Sequence, residues 1–122
     1  MIKNGDYIFL TIGRNRKSKI YFDEILYLEA DNTYTTIKLQ NSVCYVISKP
    51  INGFEQMLSA AIFFRISRSL MVNLNHVVEI VTGSNPVLKL INNEILVPDK
   101  NKIKQIEEKL HFSQSEQIPF TG

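Results

Sequence analysis

The sequence predicts an all-β, or at least β-rich, domain of short antiparallel strands, with one short internal helix and a second helix at the C-terminus. Three observations carry this. Short runs rich in β-branched and aromatic residues, several of them alternating apolar with polar, recur along the chain. Clusters of Gly, Pro, Asn, Asp and Ser separate them at short intervals. Apolar residues fall at helical spacing in only two places, after Pro50 and after Asp99.

The elements follow in order. Tyr7 to Ile12 reads as a first strand, and Gly13 with the basic cluster Arg14, Arg16, Lys17 and Lys19 reads as a hairpin loop leading into Lys19 to Phe22. Ile25 to Ala30 is a strand, Asp31-Asn32-Thr33 a break, and Tyr34 to Leu39 a strand favoured by the branching of Thr35, Thr36 and Ile37. Gln40-Asn41-Ser42 turns the chain into Val43 to Ile47. Pro50 opens a short helix through Leu58, where Ile51, Phe54, Met57 and Leu58 share a face. Phe64 and Ile66 alternate with Arg65 and Ser67, the pattern slips at Arg68-Ser69, and Leu70, Val72 and Leu74 resume it. His76 to Val81 and Val87 to Leu90 are strands around Gly83-Ser84-Asn85-Pro86, and Asn92-Asn93 turns the chain into Glu94 to Val97. Asp99 is placed to cap a final helix with the stripe Ile103, Ile106 and Leu110. The domain is expected to span residues 1–110, with 111–122 as a loosely held tail.

At 122 residues the chain suits one compact domain, and its 44% hydrophobic and 21% charged content is that of a globular protein. No apolar run reaches spanning length and no secretory leader pattern opens the chain, so a cytoplasmic location is expected. Cys44 is the only cysteine, which rules out an intrachain disulfide, and its strand-like surroundings predict a packed thiol. The net charge of +2 does not by itself argue for nucleic acid. The clusters Arg14 to Lys19 and Lys100, Lys102, Lys104 can be phosphate footprints or solvated faces. His76 and His111 lack ligand-spaced partners, and no nucleophile motif or glycine-rich phosphate loop is present, so no metal, no cofactor and no enzymatic activity are expected.

Three segments stand out as candidate sites. The slip at Arg68-Ser69 places a guanidinium and a hydroxyl on a turn between strands, a setting suited to a polyanion. The structural alternative is that Arg68 pairs with an acid such as Glu79 or Asp31, and that Ser69 bonds its own backbone. Asn32, Thr33 and Tyr34 form a second loop, which an Asx turn would shape in any case. Lys100, Asn101 and Lys102 open the last helix, where amides, dipole and lysines together favour an anion. Asn73, between Val72 and Leu74, reads as a structural residue that orders a turn.

The segment from Phe64 to Asn73 resembles the F-x-R-x-x-R-S-x-x-V-N signature of the LytTR family of bacterial DNA-binding domains. The run Ile25-Leu26-Tyr27-Leu28-Glu29-Ala30-Asp31-Asn32-Thr33-Tyr34 is similar to that family's I-x-Y-I-E-A-x-x-N-Y signature, in the family's order and at about its spacing. The resemblance implies stacked antiparallel sheets whose loops enter DNA. By that reading Arg68 reads bases, Asn32 can read adenine, and Thr33, Tyr34, Ser69, Lys100, Asn101 and Lys102 complete the contact. Arg14, Arg16 and Lys17 form a weaker backbone contact. This chain has Asp99-Lys100 where the family often has Ser-Arg. The implied protein is a sequence-specific binder of double-stranded DNA in a transcription regulator, standing alone or following a receiver or sensor domain outside this chain. A second copy on tandem half-sites is a further implied partner. The competing expectation is a β-rich protein-interaction module that has lost DNA binding.

Overall fold

The computed structural model describes residues 5–110; the expected tail, 111–122, and with it His111, lies outside the described residues. Ten strands are described: β1 (Tyr7–Ile12), β2 (Arg16–Tyr21), β3 (Ile25–Asp31), β4 (Tyr34–Leu39), β5 (Cys44–Ile47), β6 (Phe63–Arg65), β7 (Leu70–Asn73), β8 (Val77–Val81), β9 (Val87–Leu90) and β10 (Ile95–Leu96). One α-helix, α1 (Ile103–Lys109), follows them.

The strands form three antiparallel sheets: a β1-β2 ribbon, a central sheet ordered β5-β4-β3-β7-β6, and a third sheet ordered β10-β9-β8. The central sheet is covered on both faces. On one side Ile25, Leu28, Ile37, Leu39, Phe63 and Met71 pack with Ile8, Leu10 and Ile20 of the ribbon and with Ile51, Phe54 and Leu58. On the other, Leu26, Tyr27, Ile66 and Val72 pack with Leu88, Leu90, Leu96 and Ile106.

Strand β3 shows why such a layering needs an irregular strand. Side chains alternate between faces with period two, yet Ile25 and Leu28, three residues apart, share one core. A register shift between Ile25 and Tyr27 against β4 supplies the extra residue. All four residues from Ile25 to Leu28 are therefore buried, as expected of a strand covered on both faces.

Four expectations are corrected by the tertiary arrangement. The basic cluster is a loop only at Arg14: Ile12 pairs with Arg16 and Thr11 with Lys17, leaving residues 13–15 alone to turn. Gly13, at φ 65°, provides the positive φ that so tight a turn demands. The segment after Pro50 is a 3-10 turn, Ile51–Phe54, continued by turns to Leu58. Asn52 and Gly53 are poor helix formers, and burial of Ile51, Phe54 and Leu58 holds the segment instead. Cys44 is exposed rather than packed, because β5 is an edge strand whose alternation sends Tyr45 and Ile47 toward the core and Cys44 and Val46 outward. Finally, Asp99 stands at the cap position of the 3-10 turn Lys100–Lys102, not of the α-helix, and its side chain makes no capping bond.

Candidate nucleic-acid interface

Chain order separates the three candidate segments, and the sheets bring them together. Because β3 lies beside β7, the β3–β4 turn and the β6–β7 turn meet at one end of the central sheet. The join is direct: the Ala30 amide donates to the Ser69 carbonyl at 2.8 Å. A shallow groove between the two turns is lined by Asn32 on one side and Arg68 and Ser69 on the other, with Asn52 and Arg65 beneath. The Asp99 amide in turn donates to the Ile66 carbonyl at 2.8 Å, which sets Lys100–Lys102 beside the same β6–β7 turn. Lys102 Nζ lies 5.7 Å from the Phe64 ring centroid.

Local sequence explains how each side chain is presented. Asp31 pairs with Tyr34, so Asn32 and Thr33 alone make the reversal. Asn32 takes φ 56°, a left-handed conformation that Asn tolerates better than most residues. Asn32, Thr33 and Tyr34 are all exposed. The turn Ser67-Arg68-Ser69 is closed by Ile66 and Ser67 amides donating to the Leu70 carbonyl at 3.0 and 3.4 Å, and by the Ser69 amide donating to Ser67 Oγ at 3.3 Å. Arg68 and Ser69 are exposed, and among the described residues the Arg68 guanidinium makes no ion pair, so neither Glu79 nor Asp31 claims it.

The last segment differs from expectation. Lys100, Asn101 and Lys102 form a 3-10 turn ahead of a seven-residue helix, so the dipole behind them is short and the two lysines are the main source of positive potential. Arg14 sits in the β1–β2 turn while Arg16 and Lys17 extend along β2. Along β1, the Asp6 carbonyl receives the Phe22 amide, and the later residues Phe9, Leu10 and Thr11 lie against Ile47, Ser48 and Lys49. Since Ile47 pairs with Thr35 near the start of β4, the ribbon runs toward the end that carries the Asn32 turn. No hydrogen bond or ion pair among the described residues ties the ribbon's tip to that turn.

Two residues at the site escaped the sequence reading. Arg65 donates through Nε to the Ser67 carbonyl at 3.2 Å and through Nη1 to Asn52 Oδ1 at 2.8 Å and Glu55 Oε1 at 2.7 Å. Its Nη2 donates to the Arg68 carbonyl. The alternation of β6 marks Arg65 only as a solvent-facing strand residue, and nothing local points to Asn52. Asn73, by contrast, is enclosed as expected of a structural residue: Nδ2 donates to the Phe22 and Ile25 carbonyls at 3.1 and 2.9 Å, and Oδ1 accepts from the Asn75 amide. His76 is buried and bonded to the Asp23 carbonyl at 2.6 Å. Among the described residues no group of three or more His, Cys, Asp or Glu side chains is assembled, and no helix is long and apolar enough to cross a membrane.

An end of a β-rich domain carrying turns with exposed Arg, Asn, Ser and Lys defines a loop-presenting binding domain suited to an anionic polymer. The model of the LytTr DNA-binding domain matches residues 15–111, and the chain belongs to that family. It is thus a DNA-binding domain of the kind found in transcription regulators, as its two motifs led us to expect. Among solved structures, the chain is similar to one named as the LytTr DNA-binding domain of a methyl-accepting/DNA response regulator from Bacillus cereus, with a TM-score of 0.72 and 23% identity over 89% of this chain and 100% of that one. That likeness bears on the fold. No match was found among curated proteins.

Proposed function

We propose that this domain reads a specific duplex sequence by inserting the paired β3–β4 and β6–β7 turns into the major groove, as the effector part of a cytoplasmic transcription regulator. The observation that carries the reading is the union of the two turns through Ala30 and Ser69, with Arg68 exposed beside them and free of any ion pair among the described residues. An Arg fork can bond O6 and N7 of guanine, and an Asn amide can bond N6 and N7 of adenine. In this reading Arg68 and Asn32 read bases. Ser69, Thr33, Tyr34, Lys100, Asn101 and Lys102 bind phosphates and set the register, while Arg14, Arg16 and Lys17 hold the backbone farther along. The domain acts either alone or under a receiver or sensor domain outside this chain, and a second copy occupies a neighbouring half-site.

Selection of bound sequences from random duplexes, followed by titration of Arg68→Ala, tests this. The variant is expected to lose about 1–3 kcal/mol on the selected site and to relax preference at one base pair. An equal loss on random DNA would make Arg68 a phosphate contact. The exposed Val78, Val81 and Ile95 of the C-terminal sheet, with Val97 just beyond it, favour the second reading, a protein-interaction module. That reading would be chosen if affinity for duplex DNA failed to fall steeply with salt.

A further inference from the structure

We propose that Arg65 is the positioning residue of the DNA-reading turn: by bracing Ser67-Arg68-Ser69 against the Asn52–Glu55 segment, it holds Arg68 in one geometry and so sets sequence discrimination. This rests on the reading of Arg68 given above.

The turn needs such a brace. Strand β6 is the outer edge of the central sheet, with no neighbour on its far side among the described residues. The turn that follows is closed by two backbone bonds to Leu70, one of them long at 3.4 Å, and by the Ser69 amide to Ser67 Oγ, and Ser69 is tied to Ala30. Among the described residues, however, no backbone amide reaches the carbonyls of Ser67 and Arg68 at its tip. A turn tip without a further anchor would sample several conformations, and ordering it on binding would cost affinity. The Arg65 guanidinium supplies what the backbone does not. Two of its bonds go to the carbonyls of Ser67 and Arg68, within the turn, and two to Asn52 Oδ1 and Glu55 Oε1, outside it. A planar fork bridging four oxygens fixes both their distance and their orientation, which a lysine ammonium on a flexible stem cannot do.

The charge balance points the same way. Glu55 Oε1, 2.7 Å from Arg65 Nη1, neutralises the guanidinium locally, and the Arg65 side chain is only 22% exposed. Arg65 therefore adds little to long-range attraction for phosphate, while Arg68, unpaired among the described residues and exposed, carries the free positive charge at the groove. One arginine orders the turn and the other meets the ligand.

The test uses the full chain with Arg65→Lys, Arg65→Ala, Asn52→Ala and Arg68→Ala, each measured on the selected duplex and on a random duplex over a range of salt. Arg65→Lys keeps the charge and loses the fork. It is expected to lower affinity for the selected site on the order of tenfold or more, since hydrogen bonds involving a charged group are the strong ones. Affinity for random DNA and the salt slope should stay as in the parent. Asn52→Ala removes one anchor and should show a smaller loss of the same kind; it stands in if melting shows that Arg65→Lys does not fold. In the Arg68→Ala background Arg65→Lys should cost little more, because a brace with nothing to hold is idle. Equal losses on both duplexes, with a salt slope about one unit shallower in Arg65→Ala, would make Arg65 a phosphate contact and overturn the proposal. Parent-like discrimination in Arg65→Lys, or in Asn52→Ala where that variant stands in, would overturn it too. If Arg68→Ala itself costs nothing, the reading of Arg68 fails first; if only the brace variants are silent, the brace alone is wrong.

Discussion

Asn73 shows how a single polar side chain can tie a layered β domain together. Its amide reaches two carbonyls that flank the start of β3, and its carbonyl oxygen receives the amide of Asn75, so three backbone groups depend on one enclosed residue. Replacing it with Ala removes three hydrogen bonds made by one enclosed side chain; the Phe22 carbonyl keeps the Ile25 amide, but the lost bonds and the space left behind cost free energy. Asn73→Ala is expected to destabilise the domain by about 2–4 kcal/mol. A urea titration would show it as a lower midpoint at unchanged slope, and a midpoint equal to the parent's would refute the role. Asn32 is the opposite case: it is exposed, and its left-handed φ serves the turn whether or not its amide ever meets a base.

At the level of elements, the third sheet is latched to the central one through Tyr27 and Glu94. The Tyr27 hydroxyl donates to Glu94 Oε2 at 2.8 Å, and Lys38 Nζ lies 3.7 Å from the same oxygen. Burial, then the bond to Glu94 and its charge, push the Tyr27 hydroxyl well above the usual phenol range. Burial raises the Glu94 carboxyl, but the bonds from Asn92 and Tyr27 and the charge of Lys38 outweigh it, and the group ends below its ordinary value. A depressed carboxyl contributes stability that is complete above its unfolded value, about 4.3, and is lost as pH falls through the folded value. A raised phenol contributes stability that is complete below about pH 10 and is lost as pH rises through its folded value. Tyr27→Phe should therefore cost about 0.5–1.5 kcal/mol near neutrality and flatten the alkaline limb of a plot of urea midpoint against pH, with a smaller change on the acid limb. An alkaline limb as steep as the parent's would refute the latch. The β1–β2 ribbon offers a test of another kind. Neutralising Arg16 and Lys17 together should weaken binding to all duplexes alike and make the salt slope shallower by up to about two units. An unchanged slope would place that strand away from DNA.

For the whole molecule, the question is how many copies act at once. A domain with three small loops spans a short stretch of groove, and added specificity then calls for a second copy a whole number of helical turns away. The cores do not use up every apolar residue: Tyr7 and Phe9 remain exposed on the ribbon, Tyr34, Val43 and Val46 on and beside β4 and β5, and Val78, Val81, Ile91, Ile95 and Val97 on and beside the C-terminal sheet. They are spread over three sheets rather than gathered on one, and a stable interface buries roughly 1,200 Å² or more. The free protein is accordingly expected to sediment as a monomer, and a duplex with two half-sites to carry two copies. A dimer stable without DNA, or strict one-to-one binding on the two-site duplex, would overturn this.

Strands and turns whose causes are local were legible in the amino-acid order. Period-two alternation with β-branched residues marked Tyr7–Ile12, Tyr34–Leu39 and Val87–Leu90, and turn chemistry marked Asn32-Thr33 and Asn92-Asn93. The chain's two motifs also carried the family and, with it, DNA binding. That β3 lies beside β7, which joins the Asn32 turn to the Arg68 turn, came from the folded arrangement alone, because pairing of distant strands depends on which faces the whole core buries. The same dependence exposed Cys44 on an edge strand, drew Arg16 and Lys17 into the ribbon, and made Arg65 a partner of Asn52 and Glu55. A residue's own neighbours in the chain carry no record of the strand or loop that the fold sets against it.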